Sequence, residues 1–340
     1  MIDVLVVGGG PAGLATAISC AQAGLSVTVA EPRTGPIDKA CGEGLMPGAV
    51  TRLAAMGVHP AGPPFRGIRY LDSRRRADAL FRHGHGLGVR RTTLHAALAA
   101  RAAQLDVPVV PVRVTGFTQH SRSVTAAGIE ARYLVAADGL HSVIRRACAL
   151  DPPPARHPRF GLRRHYRMAP WADLVEVHWA PGSEAYVTPV ADDLVGVAIL
   201  GGGTGGFDSR LAAFPALRER LGEAGPASNV QGAGPLRQDV RCRVAGSVLL
   251  VGDASGYLDA LTGEGIGMAL AQAAVLADCI AAGCANDYER AWRRASRKAR
   301  VLTWGLLWSR HQTLLASGIV PAAQRLPRLF TSLVNHVGQA

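Results

Sequence analysis

Short apolar runs and small-residue turns alternate along the first part of the chain. Residues 2–7 are almost entirely apolar, which is typical of a buried parallel strand. Gly and Pro residues then interrupt the run, and small residues over Leu14–Gln22 predict a helix that ends at Gly24. A second apolar run, Leu25–Ala30, predicts the next strand. The pattern therefore begins with a β-α-β unit.

The same succession of strand, tight turn and helix start recurs twice further along. It is found over residues 133–146 and again over 248–267, where a long helix runs on to about Ala282. Residues 156–240 alternate apolar and polar positions in the manner of an antiparallel sheet, and residues 285–340 favour helices. Further strands are predicted at 65–71, 77–81, 107–117, 123–126 and 130–135.

The turn after the first strand carries the pattern Gly8-x-Gly10-x-x-Gly13. In a β-α-β unit the first glycine makes the tight turn, the second lets the backbone approach a pyrophosphate, and the third lets helix and strand pack closely. The helix N-terminus then faces the phosphate charge. Glu31 stands at the end of the second strand, where a carboxylate accepts hydrogen bonds from a ribose diol. The segment predicts a dinucleotide site.

Two later turns narrow the choice of dinucleotide. Ala137-Asp138-Gly139 and Gly252-Asp253-Ala254 each follow a predicted strand. With the N-terminal glycines, they resemble the motifs of an FAD-dependent superfamily that contains p-hydroxybenzoate hydroxylase-like (group A) monooxygenases and geranylgeranyl reductases. The resemblance implies an α/β fold, in which a Rossmann-like FAD-binding domain of the GR2 type carries an inserted antiparallel-sheet substrate domain and C-terminal helices. The implied divisions are 1–62, 90–150 and 241–284 for FAD, 63–89 and 151–240 for the substrate sheet, and 285–340 for the helices.

The resemblance also implies roles for individual residues. Asp253 matches the carboxylate that binds the ribityl hydroxyls of the flavin, and residues 262–266 match the loop beside the flavin pyrimidine edge. The dipole of the helix after this loop stabilises negative charge on a reduced flavin. Asp138 matches the aspartate linked to FAD and to transient nicotinamide access, while Arg91 either lies near the FAD phosphates or faces solvent. The residues predicted to bind FAD are Gly8, Gly10, Pro11, Ala12, Gly13, Glu31, Pro32, Arg33, Cys41, Gly42, Arg91, Val114, Asp138, Gly139, Gly252, Asp253, Gly263, Glu264, Gly265 and Ile266.

Three residues are candidates for catalysis. The run Cys41-Gly42-Glu43-Gly44 resembles the loop that reaches the flavin ring in geranylgeranyl reductases. Cys41 either contacts the flavin or fills space, and Glu43 is either a general acid or base or a solvent-facing turn residue. Tyr186 lies in a segment similar to a sheet motif of the same reductases, where it is either a pocket residue or a cross-strand packing residue.

Composition and charge narrow the classes of partner. The chain has 340 residues and is 48% apolar, which suffices for a sizeable core and excludes a disordered protein. Its net charge is +12, but the arginines are scattered without a nucleic-acid-binding motif, so no nucleic-acid partner is predicted. Six cysteines without a CxxC pair or a Cys/His ligand spacing predict no metal site and fit a cytoplasmic protein. A basic helical face near the C-terminus leaves peripheral membrane contact as an alternative to packing over a pocket.

The leading functional hypothesis is a monooxygenase that takes electrons from NADPH or NADH. It would hydroxylate an aromatic or polyketide-like small molecule through a flavin C4a-hydroperoxide. The alternative is a flavoprotein that reduces isoprenoid double bonds, which the Cys41-Gly42-Glu43-Gly44 loop favours. A flavin-dependent halogenase fits less well, because the Trp-x-Trp-x-Ile-Pro segment of those enzymes is absent. The remaining class is a flavin-binding or lipid-binding protein with little turnover, or a nucleic-acid binder that uses the positive charge.

Overall fold

Strands and helices together build two large sheets and the layers that cover them. The computed structural model describes residues 1–153, 157–311 and 318–339. The strands are β1 (Ile2–Val7), β2 (Val27–Ala30), β3 (Gly44–Leu45), β4 (Pro64–Phe65), β5 (Gly67–Leu71), β6 (Arg76–Leu80), β7 (Gly86–Gly88), β8 (Val109–Val110), β9 (Thr118–Gln119), β10 (Val124–Ala126), β11 (Ile129–Ala136), β12 (Phe160–Arg167), β13 (Val175–Ala180), β14 (Ser183–Ala191), β15 (Leu194–Gly201), β16 (Gln231–Ala233), β17 (Val244–Ala245) and β18 (Val248–Leu250). The helices are α1 (Pro11–Gln22), α2 (Pro47–Ala55), α3 (Arg91–Gln104), α4 (Val143–Ala147), α5 (Phe207–Leu211), α6 (Pro215–Leu221), α7 (Gly265–Ala281), α8 (Tyr288–His311), α9 (Ile319–Arg325) and α10 (Pro327–Val337).

The first sheet brings three distant turns to one edge. Its strand order is β17-β18-β11-β1-β2-β8, and β18, β11, β1, β2 and β8 run parallel. Val7 pairs with Ala136, and Ala136 pairs with Leu250, so three parallel strands end side by side. The residues that follow these strands carry the three sequence motifs. Ligands of open α/β sheets bind at this carboxyl edge, which places the candidate site there.

The second sheet is mainly antiparallel and forms a wall beside that edge. Its order is β16-β12-β15-β14-β13-β5-β6, with only the β13–β5 pair parallel. Helices α9 and α10 pack against β5 and β6 at its far side. A small sheet, β3-β7-β4, includes residue 44 at the end of the flavin-loop candidate, and its strand β7 contacts β14 of the wall. The predicted fold class, an α/β Rossmann-like sheet with an antiparallel sheet and C-terminal helices, is confirmed.

Several elements differ in type or length from those predicted from the sequence. Helix α1 begins at Pro11 rather than Leu14, because proline suits the first helical position. Residues 111–117 are irregular, and the predicted strand shrinks to β8. Residues 207–221 form α5 and α6, whose buried apolar faces had been assigned to strands. The predicted boundary near 151 falls beside residues 154–156, which lie outside the described residues, so the domain limits stay a prediction.

Candidate functional site

The glycine turn after β1 is shaped to admit a ligand. Gly8 has a φ of 107°, and a Cβ there would lie 2.6 Å from the Ala137 carbonyl oxygen. A Cβ on Gly13 would lie 1.8 Å from the Gly8 oxygen, which forbids any side chain. A Cβ on Gly10 would meet only Arg91 Nη2, at 3.9 Å, because the Gly10 backbone borders a cavity. Helix α1 begins there without a side-chain cap, so its first amides are available to an anion.

Glu31 and His95 fix the back of this turn. Glu31 accepts hydrogen bonds from the Gly9 amide at 2.8 Å and from Arg33 Nε at 2.7 Å. Burial opposes ionisation, but the hydrogen bonds from Arg33 and Gly9 prevail and lower the pKa of Glu31 to about 2. His95 Nε2 donates to the Gly9 carbonyl at 2.9 Å. A ribose diol would therefore share Glu31 with the Arg33 guanidinium.

Charged side chains surround the mouth of the glycine turn. Asp138 Oδ2 accepts from the Val143 amide at 2.8 Å and the Ile144 amide at 3.2 Å, while its buried Oδ1 has no hydrogen-bond partner among the described residues. Arg91 begins α3, and within the described part of the chain its buried Nε has no hydrogen-bond partner. Lys39 also lines the cavity, and burial followed by repulsion from cations lowers its pKa. These groups form a polar rim that suits a phosphate-bearing ligand.

Asp253 lies further along the same cavity. It is the second residue of the short 3-10 turn Gly252–Ser255 that follows β18, in which Gly252 has a φ of 61°. Burial raises the pKa of Asp253, and the cations of Arg91 and Lys39 act against that shift. Among the described residues, no hydrogen bond uses the Asp253 carboxylate, so its oxygens are available to hydroxyl donors in the cavity.

The loop before α7 is tied to the sheet wall. Tyr186 donates its hydroxyl to the Leu261 carbonyl at 2.8 Å, and Thr262 bonds to Thr303 at 3.0 Å. Helix α7 follows at once, so its positive end points at this loop. Glu264 is only 6% exposed, and burial raises its pKa to about 8. The Tyr186 hydroxyl therefore positions the loop, and burial keeps it protonated by raising its pKa well above the usual range.

The loop from Lys39 to Gly44 closes the other side of the cavity. The Glu43 amide donates to Cys41 Sγ at 3.4 Å, and burial raises the pKa of the Cys41 thiol. Glu43 is buried, not solvent-facing, and its carboxylate accepts from the Arg91 amide at 2.9 Å and bonds to His165 Nε2 at 2.6 Å. The loop thus brings a neutral thiol and a buried carboxyl group to the cavity.

The cavity continues from this polar end into an apolar chamber. Its volume is about 920 Å³. The far part is walled by the second sheet and by the C-terminal helices, with no charged side chain among the lining residues from α8, α9 and α10. The chamber residues include Ile68, Tyr70, Val175, Val177, Ala198, Leu200, Leu302, Leu306, Ile319, Ala323, Phe330, Val334 and Val337.

Comparison with known proteins agrees with this geometry. A family model described as an FAD binding domain matches residues 1–161. The chain is 27% identical to a menaquinone reductase of Mycolicibacterium smegmatis over 99% of this chain and 91% of the relative. It is 26% identical to a digeranylgeranylglycerophospholipid reductase of Methanoculleus marisnigri over 88% and 83%. The flavin-dependent brominase Bmp2 has the same fold, with a TM-score of 0.86, 19% identity, and coverage of 100% and 94%.

This chain is an FAD-dependent oxidoreductase. Residues 1–161 match the FAD binding domain family, and the motifs of the chain resemble those of p-hydroxybenzoate hydroxylase-like monooxygenases and geranylgeranyl reductases. The geometry of the residues at the cavity fits FAD. The backbone of Gly10 is open to the cavity at a helix N-terminus that has no side-chain cap. Among the described residues, Asp138 Oδ1 has no hydrogen-bond partner. The Asp253 carboxylate also lines the cavity and is available to accept hydrogen bonds.

Many of the residues predicted from sequence line the flavoenzyme's cavity. These are Gly10, Pro11, Ala12, Cys41, Gly42, Glu43, Arg91, Asp138, Tyr186, Gly252, Asp253, Gly263, Gly265 and Ile266. Others lie behind the lining or outside it, namely Gly8, Gly13, Glu31, Pro32, Arg33, Val114, Gly139 and Glu264. Val114 packs in the core beneath the first sheet. Their roles toward FAD stay predictions.

Sequence reasoning missed several cavity residues. Lys39, one of two lysines in the chain, lines the cavity but was not among the predicted site residues. Arg163, on β12, is 1% exposed and lines the cavity beside Glu43. Tyr257 packs against Gly265. The strand alternation of β12 would have shown that Arg163 and His165 share one face, but not that this face is buried.

No described helix is long and apolar enough to span a bilayer. Within the described ranges, no cluster of His, Cys, Asp and Glu side chains is arranged to hold a metal ion.

Proposed function

We propose that this flavoenzyme reduces a carbon–carbon double bond in the isoprenoid chain of a lipid, such as a prenylated quinone or a prenyl glycerolipid. The observation that carries the proposal is the cavity itself. It joins a polar nucleotide end to a long apolar chamber without a partition. The two reductase relatives act, by name, on a menaquinone and on a digeranylgeranyl lipid, and they support the same substrate class.

The chamber offers dispersion contacts along a chain rather than hydrogen bonds to a ring. Its walls are aliphatic and aromatic side chains from β5, β13, β15 and the C-terminal helices. An aromatic or polyketide-like substrate carries hydroxyl and carbonyl groups that need polar partners when buried. A polyprenyl chain needs none. The chamber therefore favours alkene reduction over the hydroxylation that was the leading hypothesis from sequence.

The chamber opens among exposed apolar residues. Leu326, Leu329 and Leu333 line the cavity and are 54%, 54% and 41% exposed. Arg325 and Arg328 are exposed beside them. Apolar residues with flanking arginines suit the entry of a lipid from a membrane surface, so the proposal includes peripheral membrane contact at this mouth.

The polar end supplies the cofactor site. Bound FAD would supply the hydride chemistry of this reaction. The amides at the start of α1 and the side chain of Arg91 would hold its phosphates, and Asp253 would accept hydrogen bonds from its ribityl hydroxyls. The start of α7 would stabilise negative charge at the flavin edge. Reduced nicotinamide, as NADPH or NADH, is the proposed electron donor.

The test is product analysis under anaerobic conditions. FAD-loaded protein would be reduced and incubated with a polyprenyl quinone or a geranylgeranyl lipid, and the lipid examined by mass spectrometry. We expect the lipid to gain two hydrogen atoms for each bond reduced. An unchanged lipid, together with a hydroxylated phenol when oxygen is admitted, would overturn the proposal in favour of a monooxygenase.

A further inference from the structure

The positive charge of the protein is concentrated at one end of the chain. From Arg290 to Ala340 the sequence has nine lysine and arginine residues and no aspartate or glutamate. Since the net charge of the whole chain is +12, this last stretch supplies most of it. A cationic segment without acidic residues attracts an anionic partner.

Helix α8 turns much of this charge outward. Residues three or four positions apart lie on one face of a helix. The face of α8 that packs into the protein is formed by Trp292, Ser296, Ala299 and Thr303. The opposite face is exposed along the helix and is formed by Arg290, Arg294, Arg297, Val301 and Trp304. This outer face is therefore cationic at first and apolar toward its end.

Several of the outward charges are not neutralised within the protein. At the start of α8, Arg290 pairs with Asp287 and Arg293 pairs with Glu289. The exposed residues Arg294, Arg297 and Lys298 form no ion pair with any other described residue. Their charges are available to anions outside the chain.

An exposed apolar surface adjoins these cations. Val301 is 63% exposed and Trp304 is 58% exposed. Helix α10 contacts α8 and carries the exposed leucines of the chamber mouth. Half of the large apolar side chains that are exposed in the described part of the chain lie between residues 301 and 333. Such clustering marks an interaction surface.

The combination of cations and exposed apolar side chains fits a lipid bilayer better than a nucleic acid. Phosphates would satisfy the cations in either case. Only a bilayer also takes up the indole of Trp304 and the leucines, because their apolar parts enter the boundary between headgroups and acyl chains. Leu302 and Leu306, on the same helix, line the chamber, so this surface surrounds the chamber mouth.

We propose that α8 and α10 dock the protein on a bilayer that contains anionic phospholipids. The docking surface consists of Arg294, Arg297, Lys298, Val301, Trp304, Leu326, Leu329 and Leu333. Its cations bind lipid phosphates, and its apolar residues enter the headgroup region. An apolar mouth alone would serve a neutral bilayer equally well, so the cations of α8 set the preference for anionic lipid. The use of this surface for lipid entry rests on the proposed function, whereas docking needs no turnover.

The first test compares two kinds of vesicle. FAD-loaded protein would be sedimented with vesicles of phosphatidylcholine alone or of phosphatidylcholine mixed equally with phosphatidylglycerol. We expect binding to the anionic vesicles to be at least about 10-fold tighter, and to weaken as salt is added. Equal binding to both kinds of vesicle, or binding to neither, would overturn the proposal without any variant.

A pair of charge variants locates the surface. Arg294→Gln combined with Arg297→Gln should weaken binding to the anionic vesicles at least about 10-fold. Glutamine keeps the helix, and unchanged flavin absorbance would show that the variant is folded. Arg113→Gln combined with Arg122→Gln is the matched control, because it removes the same charge from exposed residues outside α8 and α10. Equal weakening by both pairs would overturn the assignment to α8.

Trp304→Ser separates a bilayer from a nucleic acid. We expect it to weaken binding to the anionic vesicles about 10-fold and to leave binding of a single-stranded oligonucleotide unchanged. An oligonucleotide that binds more tightly than the vesicles, with unchanged vesicle binding in Trp304→Ser, would overturn the proposal in favour of a nucleic-acid surface.

The docking surface and the proposed function fail separately. Selective binding to anionic vesicles without reduction of any prenyl lipid would refute the proposed function alone. Reduction of a prenyl lipid in detergent, by a protein that does not prefer anionic vesicles, would refute the docking surface alone.

Discussion

The two ends of the cavity are built from different kinds of constraint. At the nucleotide end, backbone atoms approach within distances that exclude side chains, as at Gly8 and Gly13, and a few charges sit at fixed places. At the chamber end, interchangeable apolar side chains from one sheet and three helices share one volume. Close backbone approach leaves a strict signature in the sequence, whereas a volume can be filled in many ways. The class of cofactor could therefore be predicted from the sequence, whereas the substrate could not.

The largest expected effect breaks the nucleotide end alone. In Gly13→Ala the new methyl would lie 1.8 Å from the Gly8 carbonyl oxygen, and backbone cannot yield that far. We expect flavin binding to be abolished, with a loss of about 3 kcal/mol or more in the free energy of unfolding. Gly116→Ala is the control, because nothing lies within 4 Å of that position. Flavin absorbance of the purified proteins and urea unfolding would show the difference, and normal flavin content in Gly13→Ala would contradict it.

Glu264, buried behind the cavity lining just before α7, sharpens the comparison. Its folded carboxyl holds a proton up to about pH 8, while the unfolded one releases it above about 4.5. The folded state therefore loses stability as the pH rises through that window. Glu264→Gln removes this pH-dependent loss. The free energy of unfolding of the Gln apoprotein, relative to that of wild type, should therefore increase by on the order of 3 kcal/mol from pH 5 to pH 8. Urea unfolding at both pH values checks this, and a pH-independent difference would show that Glu264 is ionised throughout.

Asp253 separates binding from folding. Its carboxylate has no hydrogen-bond partner among the described residues, so Asp253→Ala removes a ligand contact but no hydrogen bond of the folded chain. We expect FAD affinity to fall about 30-fold, or about 2 kcal/mol, without a loss of apoprotein stability. Fluorescence titration with FAD measures the affinity, with Asp192→Ala on an exposed turn as the control. Wild-type affinity in Asp253→Ala would refute its assignment.

The smallest effect breaks the chamber end alone. Leu329→Asp puts a charge at the mouth of the chamber. It should raise the KM for a prenyl lipid about 10-fold, because the prenyl group can no longer bury apolar surface against residue 329. FAD affinity should not change. Val109→Asp is the matched control, because Val109 is 49% exposed but lies on the first sheet. An equal rise in KM for both variants would show that the mouth lies elsewhere.

What could be predicted from sequence follows the same division. Gly10, Asp138, Arg91 and Asp253 line one cavity because parallel strands bring such turns to one edge, while their binding of FAD stays a prediction. Helices α5 and α6 were missed because short apolar runs fit strands and helices alike. The pairing of Glu43 with His165 joins residues 122 positions apart through the contact of two sheets. Nothing in local spacing reveals such a contact.

Anaerobic reoxidation of the reduced flavin tests the central claim most directly. Reduced, FAD-loaded protein would be mixed in a stopped-flow instrument with a polyprenyl lipid or with its fully saturated counterpart, and flavin absorbance followed near 450 nm. The account predicts that the unsaturated lipid reoxidises the flavin and that the saturated lipid, of the same shape and charge, does not. Flavin that stays reduced with both lipids, and is reoxidised only by oxygen, would contradict it.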